Sequence, residues 1–113
     1  MSIHTRLREL GLQLPHAAAP VASYQPVVVD GHTAYVSGQL PFVDGKLVTG
    51  KLGDTVTLEQ GQEAARACGL MILAQLEAAG LLEQVAHMVK LGGFVASTAD
   101  FTDQPNAGPL TTY

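Results

Sequence analysis

A short polar string, Ser37-Gly38-Gln39-Leu40-Pro41, holds the side chains of this sequence best suited to bind a small polar molecule. It follows the apolar residues Ala34-Tyr35-Val36, and so it predicts a strand that ends abruptly in a turn. A hydroxyl, a carboxamide and exposed main-chain amides at such a turn can all hydrogen-bond a ligand. We therefore predict that Ser37, Gly38 and Gln39 border a cleft.

The neighbours of Ser37 argue against its most reactive role, that of a nucleophile. A nucleophile elbow has a glycine two residues to either side of the serine, whereas Tyr35 and Gln39 occupy these positions. Hydrogen bonding to a ligand and a structural role in the turn both stay open. Tyr24 precedes the first predicted strand, where it either offers its hydroxyl at a cleft or caps the core.

The other reactive side chains do not form a recognisable metal or nucleophile site. The four histidines lack ligand spacing, and the lone cysteine lies on the predicted buried face of a helix. No glycine-rich string matches a phosphate loop. These residues are His4, His16, His32, His87 and Cys68. We predict no metal, no cofactor and no catalytic residue.

The composition excludes several classes of protein. The 113 residues carry a net charge of −4, with 47% hydrophobic, 14% charged and 5% aromatic residues and no Trp. Without a basic cluster or stacking aromatics, nucleic-acid binding is disfavoured. No run reaches membrane-spanning length, and the N-terminus lacks a signal-peptide pattern, so we predict a cytoplasmic protein that binds no membrane. The high apolar content predicts partner subunits over part of the surface.

Turn signals place the polar string among strands. Val27 to Val29 and about Thr33 to Gly38 predict two strands joined at Asp30-Gly31. Asp44-Gly45 predicts a second hairpin, and alternation from Val85 to Val95 predicts a further strand.

Two helices complete the predicted elements. The first is short and amphipathic, from Ile3 to about Leu12. The main helix begins with a capping box formed by Thr57 and Gln60 and ends at Gly80. From Leu70 to Leu76 it is apolar nearly all round, which predicts burial on more than one side.

The order of these motifs resembles the RidA/YjgF family over residues 20–101. The Ser-Gly-Gln-Leu-Pro string is a specific marker of that family. Weaker matches are Tyr24, the helix ending Leu76 to Gly80 and the pair Asp100-Phe101. The N-terminal helix is similar to the family branch with an extended N-terminus.

The resemblance implies an α+β, chorismate-mutase-like fold, in which a mixed β-sheet is packed by one long helix. It also implies a homotrimer with clefts between subunits. We expect a single RidA-like domain over residues 1–113. Its N-terminal helix lies within 1–14, its family-matching core spans 20–101, and 102–113 form an irregular tail.

The resemblance also implies an activity. Members of the deaminase branch hydrolyse reactive 2-imino or enamino acids to 2-keto acids and ammonia without a cofactor. Tyr24 and Ser37 match positions that line the cleft, Gly38 matches one whose backbone faces the ligand, and Gln39 belongs to the same string. The alternatives are a non-catalytic trimeric binder of 2-keto acid-like molecules and a structural protein with a vestigial cleft.

The sequence after Phe101 departs from the family pattern. The family has a carboxylate-binding arginine in an Ala-Arg-Ser motif after a second helix, and a glutamate on a last strand that positions water. Residues 102–113 contain neither motif, and Arg66 lies on the main helix. We therefore expect the second helix and last strand to be missing, the chain to be truncated at its C-terminus, and the site to be impaired.

Overall fold

The computed structural model describes residues 2–19 and 23–104, which form two compact units. The described residues up to Gln39 and those of Leu70–His87 form the first unit. Leu40–Gly69 and the described residues from Met88 onward form the second. The elements in chain order are α1 (Ile3–Glu9), β1 (Val27–Asp30), β2 (Thr33–Val36), β3 (Phe42–Val43), β4 (Lys46–Leu47), α2 (Leu58–Ala78) and a 3₁₀ turn (Leu82–Gln84).

Helix α1 forms at the predicted place and ends at Glu9, earlier than expected. Ser2 caps its start, since the Ser2 hydroxyl accepts a 3.0 Å hydrogen bond from the Thr5 amide. At its end Gly11 adopts φ +69°, and the Leu12 amide donates to the Leu7 carbonyl at 2.9 Å. This left-handed ending stops the helix there.

His4 joins α1 to two other parts of the first unit. Its ring Nε2 contacts the Glu77 carboxylate at the end of α2, and its Nδ1 lies 2.9 Å from Oε1 of Glu83 in the 3₁₀ turn. The His4 amide donates to the same Glu83 oxygen at 3.1 Å. A carboxylate thus faces each ring nitrogen, an arrangement that favours the protonated, cationic imidazole.

Strands β1 and β2 form the first predicted hairpin. They pair antiparallel from Val27 opposite Val36 to Asp30 opposite Thr33. The two loop residues are therefore Gly31 and His32, and the turn lies one position later than the predicted Asp30-Gly31 turn. Most side chains of this hairpin are exposed.

The second unit contains the second predicted hairpin. Strands β3 and β4 pair antiparallel, with Val43 opposite Lys46. Asp44 and Gly45 form the loop with φ of +51° and +78°, the type I′ geometry that an Asp-Gly pair favours. The prediction of this turn is confirmed.

Leu52 is the centre of the second unit. Its side chain is 3% exposed, and its backbone forms a parallel bridge with Ser97. The Leu52 amide donates to the Ala96 carbonyl at 3.0 Å, and the Thr98 amide donates to the Leu52 carbonyl at 2.9 Å. The backbone and the side chain of Leu52 are thus both held in place.

Helix α2 has the predicted start and the predicted end. The Thr57 hydroxyl accepts from the Gln60 amide at 3.2 Å, and the Gln60 side chain accepts from the Thr57 amide at 2.9 Å. Both bonds of the capping box are therefore present. Gly80 takes φ +73° after the last turn, and the Leu81 amide donates to the Leu76 carbonyl at 2.9 Å.

The predicted burial of the apolar half of α2 is found in part: Met71, Ala74 and Leu76 are at most 8% exposed, whereas Leu70, Ile72 and Leu73 are half-buried. Among residues 2–19 and 23–104, no helix is both long and apolar enough to cross a membrane.

The predicted strand from Val85 to Val95 is wrong. These residues follow the 3₁₀ turn as an irregular segment, in which Phe94 is fully exposed and Val89 is 80% exposed. A strand needs a neighbour for its amides and a surface for its apolar face, and the adjacent Gly92 and Gly93 weaken it further. The described strands therefore lie in two two-stranded antiparallel sheets.

The α+β class with one long helix is confirmed. The expected tail, 102–113, falls mostly on residues outside the described ranges, as does Pro20 at the start of the expected core.

Candidate functional site

The polar string begins where β2 ends, as predicted. The Ser37 amide donates to the Pro26 carbonyl at 2.9 Å, which extends the hairpin pairing by one residue. Gly38 follows the hairpin, and the space beside it is open, since a Cβ built at that position would meet nothing within 4 Å. A ligand atom can therefore approach the Gly38 main chain on that side.

The side chain of Gln39 folds back onto Ser37. Its Nε2 donates to the Ser37 carbonyl at 3.0 Å and to the Ser37 hydroxyl at 3.2 Å. Both residues are half-buried. The structure thus brings together two of the predicted site residues and holds the serine hydroxyl through the glutamine carboxamide.

Gln75 on α2 extends this arrangement and was not predicted. It is 4% exposed, and its Nε2 donates to the Ala18 carbonyl at 2.8 Å and to Oε1 of Gln39 at 3.3 Å. Its signal in the sequence is a single polar residue inside the apolar run from Leu70 to Leu76. A polar side chain in such a run must find buried partners.

Tyr24 lies ahead of β1 with 42% of its surface exposed. The hydrogen bonds found at the turn among the described residues do not include it. The predicted role of Tyr24 as a cleft residue stays a prediction.

The groups that join Ser37, Gln39, Gln75 and Ala18 are neutral: one hydroxyl, two carboxamides and two main-chain carbonyls. They suit a ligand that is recognised by hydrogen bonds. Within the part of the chain that the structure describes, no group of three or more His, Cys, Asp or Glu side chains could hold a metal ion. Burial raises the pKa of the Cys68 thiol, which disfavours a reactive thiolate.

Residues 4–109 match the model of the family described as "YjgF/chorismate mutase-like, putative endoribonuclease". The chain therefore belongs to the YjgF/chorismate-mutase-like family, and the expected fold is confirmed.

Individual relatives agree with this assignment. Protein TCP17 of Trypanosoma cruzi is 46% identical over 104 residues, which are 90% of this chain and 65% of that protein. The crystal structure of Atu1372 from Agrobacterium tumefaciens, a protein of unknown function, is 40% identical with a TM-score of 0.81 over 96% of this chain. A "putative endoribonuclease" from Shewanella oneidensis MR-1 is 32% identical with a TM-score of 0.88 over the same share.

This chain is shorter than its relatives. It spans 65% of the Trypanosoma protein, 66% of the Agrobacterium chain and 73% of the Shewanella chain. The similarity therefore concerns the part of the family fold that holds the Ser37 turn and the long helix.

Proposed function

We propose that this chain supplies the ligand-binding turn of a RidA-type hydrolytic deaminase, which converts reactive 2-imino acids into 2-keto acids and ammonia. The observation that supports this most strongly is the turn at residues 37–39. There the Ser37 hydroxyl is held by Gln39, and the Gly38 main chain is open. The family that residues 4–109 match is the one whose deaminase branch the sequence resembles.

In this reaction water adds across the C=N bond, giving the carbon a hydroxyl and the nitrogen a proton. The hydroxyl proton then passes to the nitrogen, and the C–N bond breaks to release ammonia as the C=O bond forms. The turn would bind the substrate rather than transform it. The Ser37 hydroxyl and the Gly38 amide are neutral donors for a carboxylate or carbonyl oxygen. The three arginines of the sequence, Arg6, Arg8 and Arg66, lie outside the turn.

The proposal includes a homotrimer in the cytoplasm, with sites at the boundaries between subunits. The exposed apolar side chains of the β1–β2 hairpin support an association of this kind: Val28 is 51% exposed, Val29 is 53% exposed and Tyr35 is 60% exposed.

A second candidate is a non-catalytic protein that binds 2-keto acids. It is favoured by one observation, namely that the groups joined at the turn are all neutral hydrogen-bonding groups. Imine hydrolysis requires a group that orients or deprotonates water. A protein that binds without such a group would retain 2-keto acids and leave the hydrolysis rate at background.

The test is an assay in which a dehydratase produces 2-iminobutyrate from threonine and the release of 2-oxobutyrate is followed. Calorimetry measures 2-oxobutyrate binding in parallel. We expect Ser37→Ala to lower both the accelerated rate and the affinity about fivefold, the effect of one neutral hydrogen bond. Thr49→Ala removes an exposed hydroxyl outside the turn and should change neither.

The outcomes separate the candidates. Binding without rate acceleration would favour the non-catalytic protein. The absence of both would contradict both candidates, and a Ser37→Ala variant that behaves like the wild type would remove the turn from either role.

A further inference from the structure

The burial of Gln75 requires an explanation that packing alone does not give. Met71, one turn earlier on the same face of α2, is 5% exposed, and the adjacent Ala74 is 3% exposed, so Gln75 lies in an apolar environment. A carboxamide is costly there unless its polar atoms are bonded. One proton of the Gln75 side-chain amide is donated to the Ala18 carbonyl at 2.8 Å, and the other is donated to Oε1 of Gln39 at 3.3 Å.

The direction of this hydrogen-bond chain is fixed at both ends. Ala18 and Ser37 each present a main-chain carbonyl, which can only accept. The atom of Gln75 that faces Ala18 must therefore be Nε2, and so must the atom of Gln39 that faces the Ser37 carbonyl. With these two orientations, the Gln75 amide donates to Oε1 of Gln39, as observed.

The consequence falls on the Ser37 hydroxyl. Since Nε2 of Gln39 donates to it at 3.2 Å, the hydroxyl oxygen acts as an acceptor toward Gln39. Its own proton must then point elsewhere. The hydroxyl keeps its proton and one lone pair for a ligand, and the proton can be donated to an acceptor oxygen.

We infer that Gln75 is a positioning residue which, through Gln39, leaves the Ser37 proton free of Gln39 and so favours ligands that present an acceptor oxygen at the turn. This rests on the proposed function, because the acceptor is then the carboxylate or carbonyl oxygen of a 2-keto or 2-imino acid. Gln75 itself does not contact the ligand. It acts through the Gln39 carboxamide.

The first experiment measures 2-oxobutyrate binding to the Gln75→Met variant by calorimetry. Methionine keeps the length and approximate volume of glutamine but cannot donate to Gln39. We expect the affinity to fall about fivefold, as for one neutral hydrogen bond. Leu76→Val, one residue along the same helix and similarly buried, should bind 2-oxobutyrate as the wild type does, since it perturbs packing alone.

The second experiment tests whether Gln75 acts through Gln39. In a Gln39→Leu background, Gln75→Met should cause no further loss of affinity, because the intermediate carboxamide is already gone. Losses that add in the double variant would overturn the inference, as would an unchanged affinity in Gln75→Met.

The third experiment needs no ligand and follows the side-chain amide signals of Gln39 by NMR. In the wild type we expect slow exchange of its Nε2 protons. In Gln75→Met the signals should shift and exchange faster, whereas Leu76→Val should leave them in place. If the wild type bound no 2-keto acid, the proposed function would be contradicted, but the NMR signals would still test whether Gln75 positions Gln39. Unchanged Gln39 signals in Gln75→Met would overturn that positioning role.

Discussion

At the scale of single residues, His4 is the side chain whose charge matters most to the first unit. The hydrogen bond with Glu77 raises the pKa of His4 above its ordinary value of 6.5, and Glu83 adds to this effect. Desolvation acts to raise the pKa of Glu83. The hydrogen bonds and the positive charge of His4 outweigh it and hold that pKa below 4.5. Between the lowered pKa of Glu83 and the raised pKa of His4, the carboxylate is therefore negative and the imidazole positive.

The sign of the pH dependence follows from these shifts. A histidine whose folded pKa is raised stabilises the fold fully below its unfolded pKa, and this contribution is lost as the pH rises through the folded value. Glu83 contributes above its unfolded pKa, and its contribution is lost as the pH falls through the lowered value. We expect His4→Gln to lower the urea midpoint at about pH 6 and to approach the wild type by about pH 9.

The control is the same His4→Gln substitution in a Glu77→Gln, Glu83→Gln background, where the pH-dependent difference should vanish. The difference should also shrink in high salt, because the three side chains are exposed. A gap between wild type and His4→Gln that persists at about pH 9 would show that helix preference, and not the charge, is responsible.

At the scale of elements, α2 passes close to Leu52. A Cβ built on Gly61 would lie 2.7 Å from Cδ2 of Leu52, closer than van der Waals contact allows. Leu52 cannot easily yield, since it is 3% exposed and its backbone is bonded to Ala96 and Thr98. Glycine at this position therefore permits the close approach of the helix.

We expect Gly61→Ala to lower the free energy of unfolding by about 1 kcal/mol, measured by urea denaturation. The gain in helix preference is about 1 kcal/mol, and overpacking costs about 1–3 kcal/mol. In a Leu52→Ala background the clash disappears, so Gly61→Ala should then stabilise the protein. A stabilising effect in the wild-type background would contradict the close approach.

The elements that sequence reasoning placed correctly are those with local causes. Thr57 and Gln60 lie three residues apart, and Asp44-Gly45 adopts its turn from the conformational preferences of two residues. These signals need no distant partner. The segment from Val85 to Val95 has the alternation of a strand, but pairing depends on a neighbour that alternation does not specify.

At the scale of the whole molecule, the described residues expose several large apolar side chains. Phe94, Val89 and Met88 are 67% exposed or more, and 47% of the residues are hydrophobic. Such surface promotes association. We expect light scattering to give a mass of about three times the 11.8 kDa chain over a range of concentrations. A mass equal to one chain at all concentrations would contradict the proposed homotrimer.

The family was recognisable from the sequence because its marker residues are contiguous. The buried side chain that holds them, Gln75, is distant in sequence and was not recognised. Ser37 and Gln39 lie in one string, but Gln75 reaches them only through the folded chain and contacts Ala18 across 57 positions. A lone glutamine in an apolar helix predicts some buried partner. It does not say which one.

The carboxamides of Gln39 and Gln75, which hold Ser37, determine how ligand binding at the turn responds to pH. Neither an amide nor a serine hydroxyl gains or loses a proton in water between about pH 4 and pH 9. The recognition surface built on Gln39 and Gln75 therefore stays chemically constant over that interval. We expect variation in ligand capture with acidity to arise in the ligand itself and, through His4 and Glu83, in the fraction of molecules that are folded.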